Sequence, residues 1–446
     1  MYSVMFFSIC FIAVLALVQS AGDAVAFTKG LVAHAHLTKG EIVTFNKDIT
    51  NVNAAFTSDG KFQAQIPGIY AFHFYALSRS DGEVWLEFHK NEQYLISIYA
   101  YTASDWADAG NSIILELQQG DTVFIKATDD YDNALYGSIG EVYTTFSGEL
   151  LFSEKSGIGN PVAFTAALTQ NISLTNGAHL VYDKVFTNTG NGYNANTGEF
   201  VAPVEGVYMI HYHSLAEQGE QMWLDLYHND QYVNTAFGQA PNTWADAGNS
   251  AILELHAGDK LTIRSRPGEN VVVAGQPDEV YSTFSAALLS PTLHSGGGGG
   301  NANGGVQAFS VGLSADADNK GTNSKVIFDR IFTNHGQLYQ QRTGTFVAQV
   351  PGIYVFHFHA LAQQDEEVWL ELYHNYLYVN SLYGHATHGW AGGSNTATIE
   401  LSVGDTVYVD MKNHASTLYG RSDEIYCTFS GYLLAPIIKT NPVVGK

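Results

Sequence analysis

Aromatic residues fall on every second position of Ile69-Tyr70-Ala71-Phe72-His73-Phe74-Tyr75, which puts Tyr70, Phe72 and Phe74 on one face. That is the period of a β-strand. Val84-Trp85-Leu86-Glu87-Phe88 divides the same way, with Val84, Leu86 and Phe88 opposite Trp85 and Glu87. Met222-Trp223-Leu224-Asp225-Leu226 and Val368-Trp369-Leu370-Glu371-Leu372 repeat the division. Both faces of these runs are partly apolar, which predicts strands covered on two sides. Turn signals separate them at Ser58-Asp59-Gly60, Thr197-Gly198 and Thr343-Gly344. No amphipathic helix of useful length is visible. Many short strands with glycine turns predict an all-β chain built as β-sandwiches or jelly rolls.

The pattern is written three times. Glu141-Val-Tyr-Thr-Thr-Phe-Ser147 recurs as Glu279-Val-Tyr-Ser-Thr-Phe-Ser285 and Glu424-Ile-Tyr-Cys-Thr-Phe-Ser430. Trp106-Ala-Asp-Ala-Gly-Asn-Ser112 recurs as Trp244-Ala-Asp-Ala-Gly-Asn-Ser250 and, more loosely, as Trp390-Ala-Gly-Gly-Ser-Asn-Thr396. The periods, about 138 and 145 residues, are those of whole domains rather than solenoid units. The units run over 25–152, 161–290 and 306–436. The first linker, Ser153 to Asn160, is short and polar. The second, 291–305, contains Gly296 to Gly300 and reads as a flexible tether without a collagen period.

The third unit carries Thr343-Gly-Thr-Phe346, Val350-Pro-Gly-Ile-Tyr-Val-Phe356, Leu401 to Asp405, Leu418-Tyr-Gly420 and Thr428-Phe-Ser-Gly431. In that order these motifs resemble the globular head of complement C1q. The other units depart in places: Asp59-Gly-Lys-Phe62 lacks the Thr, Glu205 replaces Pro, and Val273-Ala-Gly275 replaces Leu-Tyr-Gly. The resemblance implies three tandem jelly-roll β-sandwiches of the C1q and tumour-necrosis-factor type. It also implies trimeric packing around an apolar axis. The first linker spans at most roughly 28 Å, so one chain can fold as its own pseudo-trimer. Trp85, Trp223 and Trp369 are then candidates for inter-domain packing, with a second core layer inside each domain as the alternative.

Composition narrows the function. The chain has 20 Lys and Arg against 43 Asp and Glu, a net charge of −23. Such a surface repels nucleic acid and anionic membranes. It admits cations or basic partners. Residues 1–20 carry no charge, and the apolar run Met5 to Val18 is followed by Ser20, Ala21 and Gly22. This reads as a signal peptide, so the chain is expected to be secreted. No other stretch is apolar enough to span a membrane. Of two cysteines, Cys10 lies in that segment. Cys427 shares a face with Ile425 and Phe429 and reads as a buried free thiol. Asn171-Ile172-Ser173 is a sequon for N-glycosylation.

No serine-nucleophile elbow, phosphate loop or zinc-protease motif is present, so no enzymatic activity is expected. His211-Tyr-His213 and His357-Phe-His359 place two imidazoles on one strand face, a pattern that can hold zinc or copper. The bland alternative is hydrogen-bonded core histidines. The first unit has His73 and Tyr75 there. Calcium is implied by the resemblance, with Asp108, Asp246 and Asp129-Asp130-Tyr131-Asp132 as candidate oxygen donors; no cofactor is required. Taken with the resemblance, the expected function is that of a lectin-like, innate-immune recognition protein, binding glycans, microbial surface ligands or extracellular proteins. A cation-binding matrix or body-fluid protein and a cerebellin-like cell-surface ligand are the alternatives.

Overall fold

The computed structural model describes residues 23–79, 82–101, 106–153, 160–239, 244–291, 306–318, 324–386, 388–412 and 416–437. Residues 1–20, expected from the sequence to be a signal peptide, and nearly all of the glycine-rich linker lie outside them. Among the described residues there is no helix, and hence none long and apolar enough to cross a membrane.

Alternation decides the sheets. In the first unit Gly68–Leu77 turns Tyr70, Phe72 and Phe74 into the sandwich, where they meet Phe27, Phe62, Phe88 and Phe146. Edge-to-face and stacked ring pairs fill this core, with Phe27 and Phe146 5.0 Å apart and Phe72 and Phe88 5.5 Å apart. One five-stranded sheet has the order Lys47–Val52, Ala26–Gly30, Thr145–Ser153, Gly68–Leu77, Asp108–Leu117. The other has Ala55–Phe56, Phe62–Gln63, Thr122–Ala127, Glu83–Lys90, Gln93–Tyr101. Neighbouring strands run antiparallel. The second and third units repeat both orders. This is the jelly roll that the alternation and turn signals predicted.

The other face of the first sheet is also buried, which explains the two-sided apolar strands. Asp108–Leu117, Asp246–Leu255 and Gly392–Leu401 each lie against strands of another unit. One clamp recurs at all three seams. Asn111 Nδ2 donates to Tyr281 O at 2.7 Å, and Thr283 Oγ1 donates to Asn111 Oδ1 at 2.6 Å. Asn249 makes the same pair with Tyr426 O (2.9 Å) and Thr428 (2.6 Å). Asn395 makes it with Tyr143 O (2.9 Å) and Thr145 (2.6 Å). Beside each clamp a tyrosine hydroxyl accepts a backbone N–H from the neighbour: Tyr94 from Val280 (2.6 Å), Tyr232 from Ile425 (2.6 Å) and Tyr378 from Val142 (2.5 Å). The first unit thus grips the second, the second the third, and the third the first. Contacts of this head-to-tail kind close after three steps, so the chain forms its own pseudo-trimer.

Candidate functional site

On the axis of this ring the three inner strands bring equivalent side chains together. His73, His211 and His357 meet with ring centroids 4.9, 4.8 and 4.4 Å apart, and each is 2% exposed or less. One layer along the same strands stand Tyr75, His213 and His359, with His213 6.2 Å from each of the other two rings. Hydroxyls tie the layers across the seams. Ser112 Oγ lies 2.8 Å from His73 Nδ1 and 3.3 Å from His213 Nε2. Ser250 Oγ meets His359 Nε2 at 3.0 Å, and Thr396 Oγ1 meets His357 Nδ1 at 2.9 Å and Tyr75 at 3.2 Å.

A carboxylate joins the first layer from one unit alone. Glu149, fully buried, places Oε1 3.2 Å from His73 Nε2 and accepts from the Tyr432 hydroxyl at 3.0 Å. Its register positions in the other units hold Ala287 and Tyr432. Several polar atoms here have no hydrogen-bond partner: both nitrogens of His211, His357 Nε2 and Glu149 Oε2. An unsatisfied buried polar atom costs about 1–3 kcal/mol. Burial, and then the neighbouring imidazoles, hold His211, His213 and His357 well below the ordinary imidazole range. Burial takes His359 down to about 3.

The two members of each sequence pair, His211 with His213 and His357 with His359, therefore stand in separate layers. Each layer is assembled from different units. A single strand could not reveal this, because it takes the threefold packing to bring positions 73, 211 and 357 together.

Asp108 and Asp246 lie at the start of the seam strands, where the third unit has Gly392. Asp108 Oδ2 accepts from Ser394 N at 3.3 Å and Asp246 Oδ2 from Gly110 N at 3.1 Å, while Asp108 Oδ1 has no partner. Both line a cavity of about 30 Å³ with Phe237, Leu361 and Gly392. That volume suits a water molecule or a small ion, not a sugar. Burial, together with the charge of Asp246, raises Asp108 well above the usual carboxylate range, and burial does the same for Asp246.

The repeated Asp-Ala-Gly-Asn-Ser segment can now be read residue by residue. Its Asp lines the cavity, its Asn clamps the seam and its Ser bonds the axial histidines. Its Gly makes room for a ring: a Cβ at Gly110 would fall 2.2 Å from Tyr75, and one at Gly248 2.1 Å from His213.

Trp85, Trp223 and Trp369 stand in equivalent aromatic clusters at the seams. Trp85 touches Tyr99 (5.6 Å), which lies 6.2 Å from Tyr281 of the second unit. Trp223 touches Phe237 (5.1 Å), which lies 6.1 Å from Tyr426 of the third. Trp369 lies 6.4 Å from Tyr143 of the first. Cys427 is a buried free thiol, pushed up to about 12 by burial. Asn171 is exposed; its Nδ2 donates to Glu217 at 2.6 Å. Asp129, Asp130 and Asp132 are exposed on a loop.

Sequence reasoning did not single out Glu149 or the seam asparagines, nor make His73 a ligand candidate. Glu149 did leave a signal, as a charged residue inside the apolar run Phe146 to Phe152.

The outer rim is less uniform. One hairpin recurs with two left-handed residues at its tip: Asn91-Glu92 (φ 49° and 63°), Asn229-Asp230 (48° and 65°) and Asn375-Tyr376 (47° and 67°). The same turn thus presents Glu92 and Gln93, Asp230 and Gln231, or Tyr376 and Leu377. The last two are 81% and 69% exposed.

The C1q domain model matches residues 26–151, 163–289 and 308–434. Complement C1q tumor necrosis factor-related protein 3 of Mus musculus is 38% identical over 129 residues, 28% of this chain and 50% of that protein. Collagen alpha-1(X) chain of Mus musculus is 33% identical over 133 residues, 30% of this chain and 19% of that one. Among solved structures, the globular domain of zebrafish complement 1qA protein matches with 23% identity and a TM-score of 0.25, covering 29% of this chain and 98% of that one. A match thus spans half or less of the length of these two curated relatives. With the family model matched three times over most of its length, the chain belongs to the C1q domain family.

Proposed function

We propose that this chain is a secreted, non-enzymatic recognition protein that presents three unlike heads on one rigid ring and binds glycans, microbial surfaces or extracellular proteins. The observation that carries this reading is the recurring hairpin tip. Its backbone is the same in all three units, yet its chemistry is acidic in two and aromatic in the third. Tyr376 sits in a left-handed conformation that a tyrosine adopts only at a cost of about 1 kcal/mol, and it is exposed. Exposed tyrosines on a fixed scaffold are efficient contact residues. Heads joined in a ring also raise one another's effective concentration at a repetitive surface. A glycan at Asn171 would sit on the exterior of the second unit.

The test uses the full chain on a glycan array, a panel of whole bacteria and immobilised extracellular proteins. Binding should fall about tenfold or more when Tyr376→Asn and Leu377→Gln are combined. A chain that binds none of these panels, or whose binding ignores the tips, contradicts the reading.

The cavity at Asp108 and Asp246 favours a second reading, as a cation-binding protein. Two carboxylates with one unpartnered oxygen suit a hard cation such as calcium. Calorimetric titration with calcium should show a site lost in Asp108→Asn with Asp246→Asn. Equal heats in the variant would remove this reading.

A further inference from the structure

The histidine layer on the ring axis is built as a ligand set. Among the described residues, His73, His211 and His357 form the one group of three whose donor atoms all lie within 4.8 Å of one another. Around a tetrahedral zinc ion, with bonds of 2.0–2.2 Å, neighbouring donors stand about 3.4 Å apart. Glu149 Oε1 and His73 Nε2, 3.2 Å apart, already have that spacing. Drawing the three histidine nitrogens about 0.8 Å toward their centre brings them to that spacing from one another, within the reach of small side-chain rotations.

The unsatisfied atoms point the same way. His211 uses neither nitrogen, His357 leaves Nε2 free, and Glu149 leaves Oε2 free, all at 2% exposure or less. Three imidazoles facing one another cannot all pair with each other, and a shared cation takes up one nitrogen of each ring. The outer contacts are those of oriented ligands. His73 Nδ1 and His357 Nδ1 are held by Ser112 and Thr396, and the Tyr432 hydroxyl fixes Glu149. Three imidazole nitrogens form a set of the borderline-soft kind that selects zinc or copper over calcium, with a fourth position left for a small ligand.

We propose that His73, His211 and His357 together form one buried site per chain for a zinc-class divalent cation, with Glu149 as the carboxylate beside His73, joining all three heads at the axis. This site is distinct from the acidic cavity and does not rest on the recognition reading. Because its ligands are enclosed, the ion enters as the ring folds.

The full chain should be expressed with zinc in the medium, purified without chelator and analysed for metals. About one zinc per chain is expected. Refolding with Co²⁺ should give the strong visible absorption of a four-coordinate ion, while calcium should leave the spectrum unchanged. Tyr432→Phe removes only the bond to Glu149 and should weaken binding 10–100-fold while the ring still folds. His211→Met replaces one ligand with a side chain already present on this strand at Met209. That variant should fold, lose the metal, and have a melting temperature that no longer responds to a chelator. The proposal is overturned if the refolded chain takes up no zinc, cobalt or copper, or if His211→Met holds as much metal as the parent.

Discussion

Asn111, Asn249 and Asn395 each close a seam with both ends of one amide. Replacing Asn111 by Ala leaves Thr283 Oγ1 only the long 3.4 Å bond to Ser112 O and removes a donor from the Tyr281 carbonyl in the buried seam. The expected loss is about 2–4 kcal/mol in denaturant unfolding; a change under about 0.5 kcal/mol would contradict the clamp. The Asp108 and Asp246 pair has the opposite sign. Their raised values mean that folding favours the protonated forms, so stability is greatest below about 3.8 and declines as pH rises through their folded values. At pH 7.5, with calcium chelated, Asp108→Asn should therefore raise the melting temperature. Tyr376→Asn should also stabilise, by up to about 1 kcal/mol, since Asn tolerates the left-handed turn better. A fall in either variant would count against the reading. These residues stood in plain view in the sequence. The repeat marked the Asn of each Asn-Ser or Asn-Thr motif, but a repeat cannot distinguish a residue that binds its own domain from one that binds the next.

At the scale of the strand, alternation was legible because it needs only local chemistry. Tyr70, Phe72 and Phe74 announced the core side of Gly68–Leu77. Its other side was harder, since Ala71, His73 and Tyr75 are small, polar or amphipathic and gain their burial only from two neighbouring units. That face also sets the response to acid. His211, His213, His357 and His359 have folded values below the ordinary 6.5, so their stabilising contribution is fully present above pH 6.5 and is lost as pH falls toward those values. Each contributes a loss of about 1.4 kcal/mol per pH unit over that window. Asp108, Asp246 and Asp410, the last raised to about 6, oppose the trend. The four histidines outnumber them, so unfolding free energy should drop from pH 6.5 to 4.5. It should drop more steeply when Asp108 and Asp246 are both Asn. A flat profile over this range would contradict the buried neutral histidines.

The whole molecule is a trimer whose three members have been free to diverge. Glu149 has Ala287 and Tyr432 as its counterparts at one level of the fold, and Asp108 and Asp246 have Gly392 as theirs at another. A homotrimer would repeat each charge three times; a single chain can place one carboxylate beside three histidines. The second seam carries its own addition, with Arg266 2.9 Å from Asp225 and 3.5 Å from Glu424 of the third unit. The family resemblance implied the packing, and the short first linker made it reachable within one chain. Which side chains meet at the axis was not legible, because that depends on the register of three separate sheets. Light scattering of the purified chain over a wide concentration range tests the ring most directly. Closure within one polypeptide predicts the mass of one chain throughout; a particle of three chains would mean that the heads pair between molecules and that the axis described here is not formed within one.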